Sequence, residues 1–290
     1  VYRASGRQDH QADDRKEITD ISQSTIMSAT PIAGAALCLW ADVAGQGRIF
    51  LYFCTVKEMI FHMKQFDLRQ ERSAMKTGTD GVLLGAWCRL PEEGTVLDIG
   101  TGTGLIALMT AQRSQCSITG IEIDPTTAEE ATMNAASSPW SERVRILAGD
   151  AMKVAEGLPC PDVIVSNPPF FKTTLRSPDV RRSEARHGDT LTVDSLIELA
   201  AERLAPHGQL SLIAPADRLD DIEVQTAMLR LNMQRICMVK SAAHKPAIRV
   251  MVQMGRDLTA IERSEMAIRD AAGEYTPEYR KLTNEFYTHI

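Results

Sequence analysis

Asn167-Pro168-Pro169-Phe170 is the stretch of this chain best equipped for chemistry. The side-chain oxygen of Asn167 and the carbonyl of Pro168 are both acceptors. Held close together, they can take both hydrogens of a planar NH2 group. That draws electron density toward the nitrogen and leaves its lone pair pointing elsewhere. Phe170 adds a flat face on which a ring can stack, an interaction of about 1–3 kcal/mol per base. The alternative is an ordinary strand-to-loop turn with a buried Phe.

The apolar run Asp162 to Ser166 before this lip predicts a buried strand. Pro168 and Pro169 cannot donate ladder bonds, so the strand must stop at Asn167. A residue before proline is held extended, which makes the lip stiff. In an open α/β sheet, ligands bind at the carboxyl ends of such strands.

A second candidate site lies upstream. Thr95 to Gly100 predicts a strand, Gly100-Thr101-Gly102-Thr103-Gly104 a loop, and Leu105 to Arg113 a helix. Strand, glycine loop and helix make a nucleotide-binding turn. A dinucleotide fingerprint would need glycine at Leu105, and the loop has no P-loop lysine. Asp98 instead precedes the glycines, where a carboxylate would repel a pyrophosphate but could hold an ammonium group. The pattern resembles motif I of the S-adenosylmethionine (SAM) methyltransferases, in which the acid lies near the methionine end of the cofactor.

The next strand, Ser117 to Ile123, leads into Asp124. Glu122 stands about twenty residues past the loop, where an acid accepts from ribose hydroxyls. Pro125 fits the first turn of the following helix. A third strand, Val144 to Leu147, leads to Gly149-Asp150-Ala151. An acid there resembles the family's contact to the adenine amino group. The candidate cofactor set is Asp98, Gly100, Gly102, Gly104, Glu122, Asp124, Asp150, Ala151, Asn167 and Thr79. Its polar groups fall at the carboxyl ends of four successive strands.

Thr79 lies in the glycine-punctuated loop Met75 to Gly81, ahead of an apolar helix Val82 to Cys88. This loop either covers the cofactor, with Thr79 or Asp80 near it, or is a helix start capped by Asp80. Beyond the lip, Lys172, Arg176, Arg181, Arg182 and Arg186 face only Asp179 and Glu184 between 172 and 187. A long basic segment beside the lip predicts a substrate loop that meets phosphates; a solvated charged loop is the alternative. Lys76, Lys172, Arg181, Arg182 and Arg186 are the candidate substrate-binding residues.

The rest of the chain sets bounds. With 290 residues, 44% hydrophobic and 24% charged, it is a soluble globular protein of one large or two modest domains. A net charge of −6 leaves no global nucleic-acid footprint, so any such contact must be local. Cys38, Cys54, Cys88, Cys116, Cys160 and Cys237 form no CxxC and no Cys/His cluster. They read as free thiols of a reducing cytoplasm, and no metal site is expected. Residues 1–30 are polar and without periodicity, as in disordered segments. The apolar run Ile32 to Trp40 is far short of the roughly 20 residues of a membrane helix. Residues 1–58 are therefore expected to be an extension, disordered or upstream of the true start, with Met27, Met59 and Met63 as candidate starts. Residues 59–290 would form the functional domain. Toward the carboxyl end, Met233 to Lys240 and Ile248 to Met254 predict an antiparallel edge hairpin, and Glu278 to Tyr287 a final helix.

Ala74 to Trp87, read as Ala74-Met75-Lys76-Thr77-Gly78-Thr79-Asp80-Gly81-Val82-Leu83-Leu84-Gly85-Ala86-Trp87, closely resembles the opening segment of the tRNA1(Val)-specific adenine-N6 methyltransferases. Ser138 to Arg143 and Tyr275 to Tyr287 also look like that family. The similarity runs from about residue 61 to the end, whereas the glycine loop and the lip belong to a wider amino-methyltransferase superfamily. The resemblance implies an α/β, Rossmann-like class I SAM-dependent fold. It would have a seven-stranded mostly parallel sheet, an antiparallel carboxyl-terminal strand and helices on both faces. It implies methylation of N6 of adenosine 37 in tRNA, with Asp98, Gly100, Gly102, Glu122 and Asp150 on the cofactor. Asn167 and Pro168 would hold N6, and Phe170 would stack on the adenine. A cytoplasmic tRNA-binding protein, not membrane-bound and monomeric, is expected.

Three other functions share parts of this pattern. Methylation of a release-factor glutamine uses a similar lip, but normally with a helical amino-terminal domain that 1–58 does not resemble. Methylation of guanine N2 in ribosomal RNA commonly has His after the lip, where this chain has Phe171. An inactive SAM-binding RNA module would have no need of both Asn167 and Asp98.

Overall fold

The computed structural model describes residues 59–73, 76–169 and 191–289, together with the backbone of three strands, Thr25–Ile32, Ala35–Ala41 and Ile49–Cys54. The chain divides into two units, Val1–Glu58 and Met59–Ile290. In the first, the three strands pair antiparallel in chain order, where the sequence had offered no periodic element.

The second unit is built on one eight-stranded sheet. Its strands are β1 (Thr95–Ile99), β2 (Ser117–Glu122), β3 (Val144–Ala148), β4 (Val163–Ser166), β5 (Gln209–Pro215), β6 (Asn232–Ala242), β7 (Ala247–Gly255) and β8 (Glu262–Arg269). The spatial order is β8-β6-β7-β5-β4-β1-β2-β3. Strands β1 to β5 run parallel, and β7 is antiparallel to both of its neighbours. The α/β, mostly parallel reading holds, with two differences. The sheet has one strand more than expected, because β8 adds in parallel outside β6. The hairpin β6–β7 is not the edge: β7 lies inside, between β5 and β6. The sequence of β8, ERSEMAIR, is largely charged and exposed, so no apolar pattern marked it as a strand.

Central strands are apolar on both sides because both faces are covered. Val96, Val163 and Val165 point to one core with Val82, Leu83, Leu105 and Leu108. Leu97, Ile99 and Ile164 point to the other with Leu196, Ile197 and Ile222. The first face is layered by helices α1 (Thr79–Trp87), α2 (Leu105–Arg113), α3 (Pro125–Ser137) and a short carboxyl-terminal helix, Pro277–Thr283. That last helix stops short of Tyr287, whose backbone instead bridges to Met63. Helices α4 (Ala151–Glu156), α5 (Val193–Arg203) and α6 (Leu219–Met228) cover the second. The chain runs outward from β1 through β2 to β3, then returns to β4 on the other side of β1. The reversal places a crevice at the carboxyl ends of β1 and β4. Among the described residues no helix is long and apolar enough to cross a membrane.

Candidate active site

The glycine loop follows directly from β1. Gly100, Gly102 and Gly104 have φ of 68°, 56° and 86°, left-handed values that side chains disfavour. At Gly102 an added Cβ would meet nothing within 4 Å, so the requirement there is conformational and the space above is open. The loop is fastened from β2: the amides of Gly100 and Thr101 both donate to the Ile121 carbonyl. The Gly102 amide donates to Oε2 of Glu122 at 2.9 Å.

Asp98 lies under this loop and is fully buried. The period of two turns it, with Val96, to the α2 face. Its Oδ2 accepts from Thr101 Oγ1 at 2.6 Å and from the Ala107 amide, in the first turn of α2, at 3.0 Å. Its Oδ1 is buried with no partner among the described residues. Burial pushes the carboxyl from an ordinary 3.8 up to about 7, against the pull of Thr101 and Ala107. One oxygen therefore ties loop to helix, and the other awaits a donor. An ammonium group is such a donor, so this orphaned oxygen fits the methionine end of SAM.

Glu122 accepts from Gly102 on one oxygen and from the Asp124 amide, at 3.1 Å, on the other. Each oxygen keeps a lone pair for a ribose hydroxyl. Beside it, Ile123 is 54% exposed, an apolar face that an adenine ring could cover. Asp124 caps α3, accepting from Thr127 at 2.7 Å, and that bond holds its carboxyl below the ordinary range. Asp150 caps α4 through Met152 at 3.0 Å and lies 3.4 Å from Lys153, with Ala151 opening the helix behind it.

The lip leaves β4 at Ser166, whose hydroxyl donates to the Ile99 carbonyl at 2.7 Å and pins the ends of β1 and β4 together. Asp98 pairs with Val165 in register, so Asn167 stands two residues farther along the neighbouring strand. Helix α1 closes the other side. A Cβ on Gly81 would lie 3.9 Å from Asn167 Nδ2 and 2.9 Å from Leu105 Cδ2, so α1 packs close against the lip at this glycine. Pro168 is buried and Pro169 half-buried. Phe170, Lys172, Arg181, Arg182 and Arg186 lie outside the described residues.

The start of α1 differs from expectation. Its cap is Gly78, and Thr79 is its first residue. Asp80 is not the cap: it pairs with Arg249 of β7 at 2.8 Å. Lys76 is exposed and donates to the Gln70 carbonyl.

Several residues of the site had no marker of their own. Residues 69–73, with 76 and 77, form a strap held on α3. Glu130, 1% exposed, accepts from the amides of Glu71, Arg72 and Ser73. Asn134 bonds both polar groups of the Arg69 backbone and the Thr103 carbonyl of the glycine loop. Gln70 Oε1 takes the Thr77 amide. One signal was available, since Glu130 and Asn134 are four apart on the helix face that carries Ala131. Leu191, whose Cδ2 would lie 3.2 Å from a Cβ on Gly100, covers the loop from the far side.

The arrangement can seat a nucleoside-bearing cofactor along β1 to β3 and an amino group at the end of β4. The sequence pattern of the methyltransferase small domain matches residues 77–228. A Porphyromonas gingivalis protein called tRNA1(Val) (adenine(37)-N6)-methyltransferase is 48% identical, with 79% of this chain and 95% of that protein covered. Proteins of the same name from Aeromonas hydrophila and Bacteroides thetaiotaomicron are 42% and 38% identical, covering 78% and 79% of this chain and 96% and 98% of theirs. In solved structures the fold is similar to that of a predicted O-methyltransferase from Agrobacterium tumefaciens. The TM-score is 0.56 at 21% identity, over 71% of this chain and 96% of that one.

Proposed function

Because the chain belongs to the tRNA1(Val) (adenine(37)-N6)-methyltransferase family, we propose that it transfers a methyl group from SAM to the exocyclic N6 of adenosine 37 in tRNA1(Val). The observation that carries the assignment to a site is the placement of Asn167-Pro168 at the end of β4. It lies two residues beyond the register partner of Asp98, whose second oxygen lacks a partner among the described residues. An amino-group holder thus stands beside an ammonium holder at the switch point of the sheet.

SAM supplies an electrophilic methyl on its sulfonium. The protein's part is positioning and electrostatics. Asp98 Oδ1 would hold the ammonium end, Glu122 the ribose and Ile123 the adenine face, and Asp150 would take the adenine amino group with the lone pairs its capping bond leaves. Asn167 Oδ1 and the Pro168 carbonyl each take one hydrogen of the substrate N6. They would lean on the positive charge that develops there as the N6–methyl bond forms and the methyl–sulfur bond breaks, with the neutral thioether S-adenosylhomocysteine as leaving group. The methylated amine then loses its proton to water, so no side chain with a shifted pKa is needed as base. The target base leaves its stack to reach the lip, which costs least in an anticodon loop. Phe170 would stack on it, and Lys172, Arg181, Arg182 and Arg186 would meet the backbone phosphates. In this reading residues 59–290 carry the activity, and the protein works as a cytoplasmic monomer.

Transfer of tritiated methyl from SAM to total tRNA, followed by nucleoside analysis, tests the proposal. Label in N6-methyladenosine at position 37 of one tRNA is expected. Label in release factors or in guanosine of ribosomal RNA would keep the chemistry and overturn the substrate.

A further inference from the structure

A cleft of about 460 Å³ opens on the far side of the α1 amino terminus, within the size range of ligand sites. Phe61, Tyr275, Tyr279 and Tyr287 line it, with Arg269 and Thr77 among its polar groups. Phe61, Tyr275 and Tyr287 are half-buried there, and Tyr279, 2% exposed, backs them. They are ordered by mutual contact. Tyr275 and Tyr279 stack at 5.1 Å, Phe61 meets Tyr287 edge-on at 6.4 Å, and the Arg269 guanidinium sits 4.3 Å from the centre of the Tyr275 ring.

Two further observations point to a ligand. Thr77 Oγ1 is buried without a partner among the described residues, although hydroxyls in such places are normally bonded. Arg269 uses one N–H on the Gly273 carbonyl, and a guanidinium has five. Rings, a cation with donors to spare and a buried hydroxyl recognise a nucleotide better than an apolar peptide.

The position matches. Thr79 lines the cleft, and Gly81, two residues on in the same helix, abuts Asn167. Two helical residues rise about 3 Å and turn about 200°, so cleft and lip flank one helix at roughly its 10–12 Å diameter. Extruding an adenosine into the lip strips its neighbours of a stacking partner, so a second aromatic platform nearby would offset part of that loss. We infer that this cleft receives one nucleotide flanking the target adenosine, its base against the aromatic walls and its phosphate at Arg269. The inference rests on the tRNA reading above.

The test uses anticodon stem-loop RNA with 2-aminopurine placed on one side or the other of the target adenosine, titrated with the full chain. Binding should quench fluorescence at one of the two positions. Phe61→Leu, which keeps apolar bulk and removes the flat ring, should weaken RNA binding about tenfold. It should also abolish that quench while leaving SAM affinity within twofold. Arg269→Gln lies on an exposed strand end and carries the test if Phe61→Leu does not fold; it should weaken binding about threefold or more. Methyl transfer by the unaltered protein to the same RNA is measured in parallel. Transfer without a position-specific quench, or with a quench that survives both substitutions, overturns the cleft alone. Absence of both transfer and binding overturns the tRNA reading, and the cleft falls with it.

Discussion

Glu122 accepts the amide of Gly102 at 2.9 Å from twenty residues further along the chain, so one carboxylate both shapes the glycine loop and faces the crevice. A charge-assisted bond of this kind contributes about 1.5–3 kcal/mol. Glu122→Ala should therefore weaken SAM binding by one to two orders of magnitude in calorimetric titration. Glu122→Gln should retain the shape of the loop and lose less. Equal losses would mean that charge is irrelevant at this position.

Asn167 is the residue whose removal should separate chemistry from cofactor binding. Asn167→Ala should lower kcat by about 10²–10³, the scale of losing one preorganised partner of developing charge. SAM affinity should stay within about threefold. Near-normal turnover would remove Asn167 from the reaction.

Asp98 should make SAM binding depend on pH. Its carboxyl titrates near 7 in the ligand-free protein, and an ammonium partner requires the charged form. Below pH 7 binding must expel a proton, so affinity should fall about tenfold per pH unit and level off above 7. The same group affects folding in the opposite sense. Its folded value exceeds 3.8, so its contribution is fully present below pH 3.8 and is lost as pH rises through 7. Asp98→Asn should flatten the binding profile; an unchanged slope would point to another group.

Glu130 should matter for stability. Its carboxylate takes three backbone amides of the strap at 2.6, 3.0 and 3.0 Å. Glu130→Ala leaves them without a protein partner at a cost of about 2–4 kcal/mol, tempered by water at the exposed Glu71 and Arg72. Urea unfolding would measure the loss, and limited proteolysis should cut first between residues 69 and 78.

The basic segment after the lip should govern salt dependence. Replacing Arg181 and Arg182 by Ala should lower the slope of log affinity for tRNA against log salt by about 0.7–0.9 for each phosphate that is no longer neutralised. An unchanged slope would mean that other side chains neutralise the RNA backbone.

Much of this site was legible because its parts are local in sequence. Strand, glycine loop and helix occupy Thr95 to Arg113 without interruption, and two prolines fix where β4 ends. What escaped was non-local or lacked an apolar signature. Strand β8 is polar because it is an exposed edge, and charged edges resist pairing with other chains. Glu130 and Asn134 carry no local mark of the strap they hold, because it lies about sixty positions earlier in the chain. Asp124, Asp150 and Lys76 have structural partners that their types alone did not announce: each acid caps a helix with one oxygen, and the lysine donates to a backbone carbonyl.

The inward placement of β7 has a consequence for synthesis on the ribosome. Strand β5 ends at Pro215, yet its outer neighbour begins only at Ala247, and β6, made in between, pairs with β7 and not with β5. Until β7 emerges, a nascent chain that has completed β1 to β5 carries an open row of amides and carbonyls along Gln209 to Pro215. A ribosome stalled in that interval would release a protein with most of its core and one adhesive edge, the form most prone to aggregate.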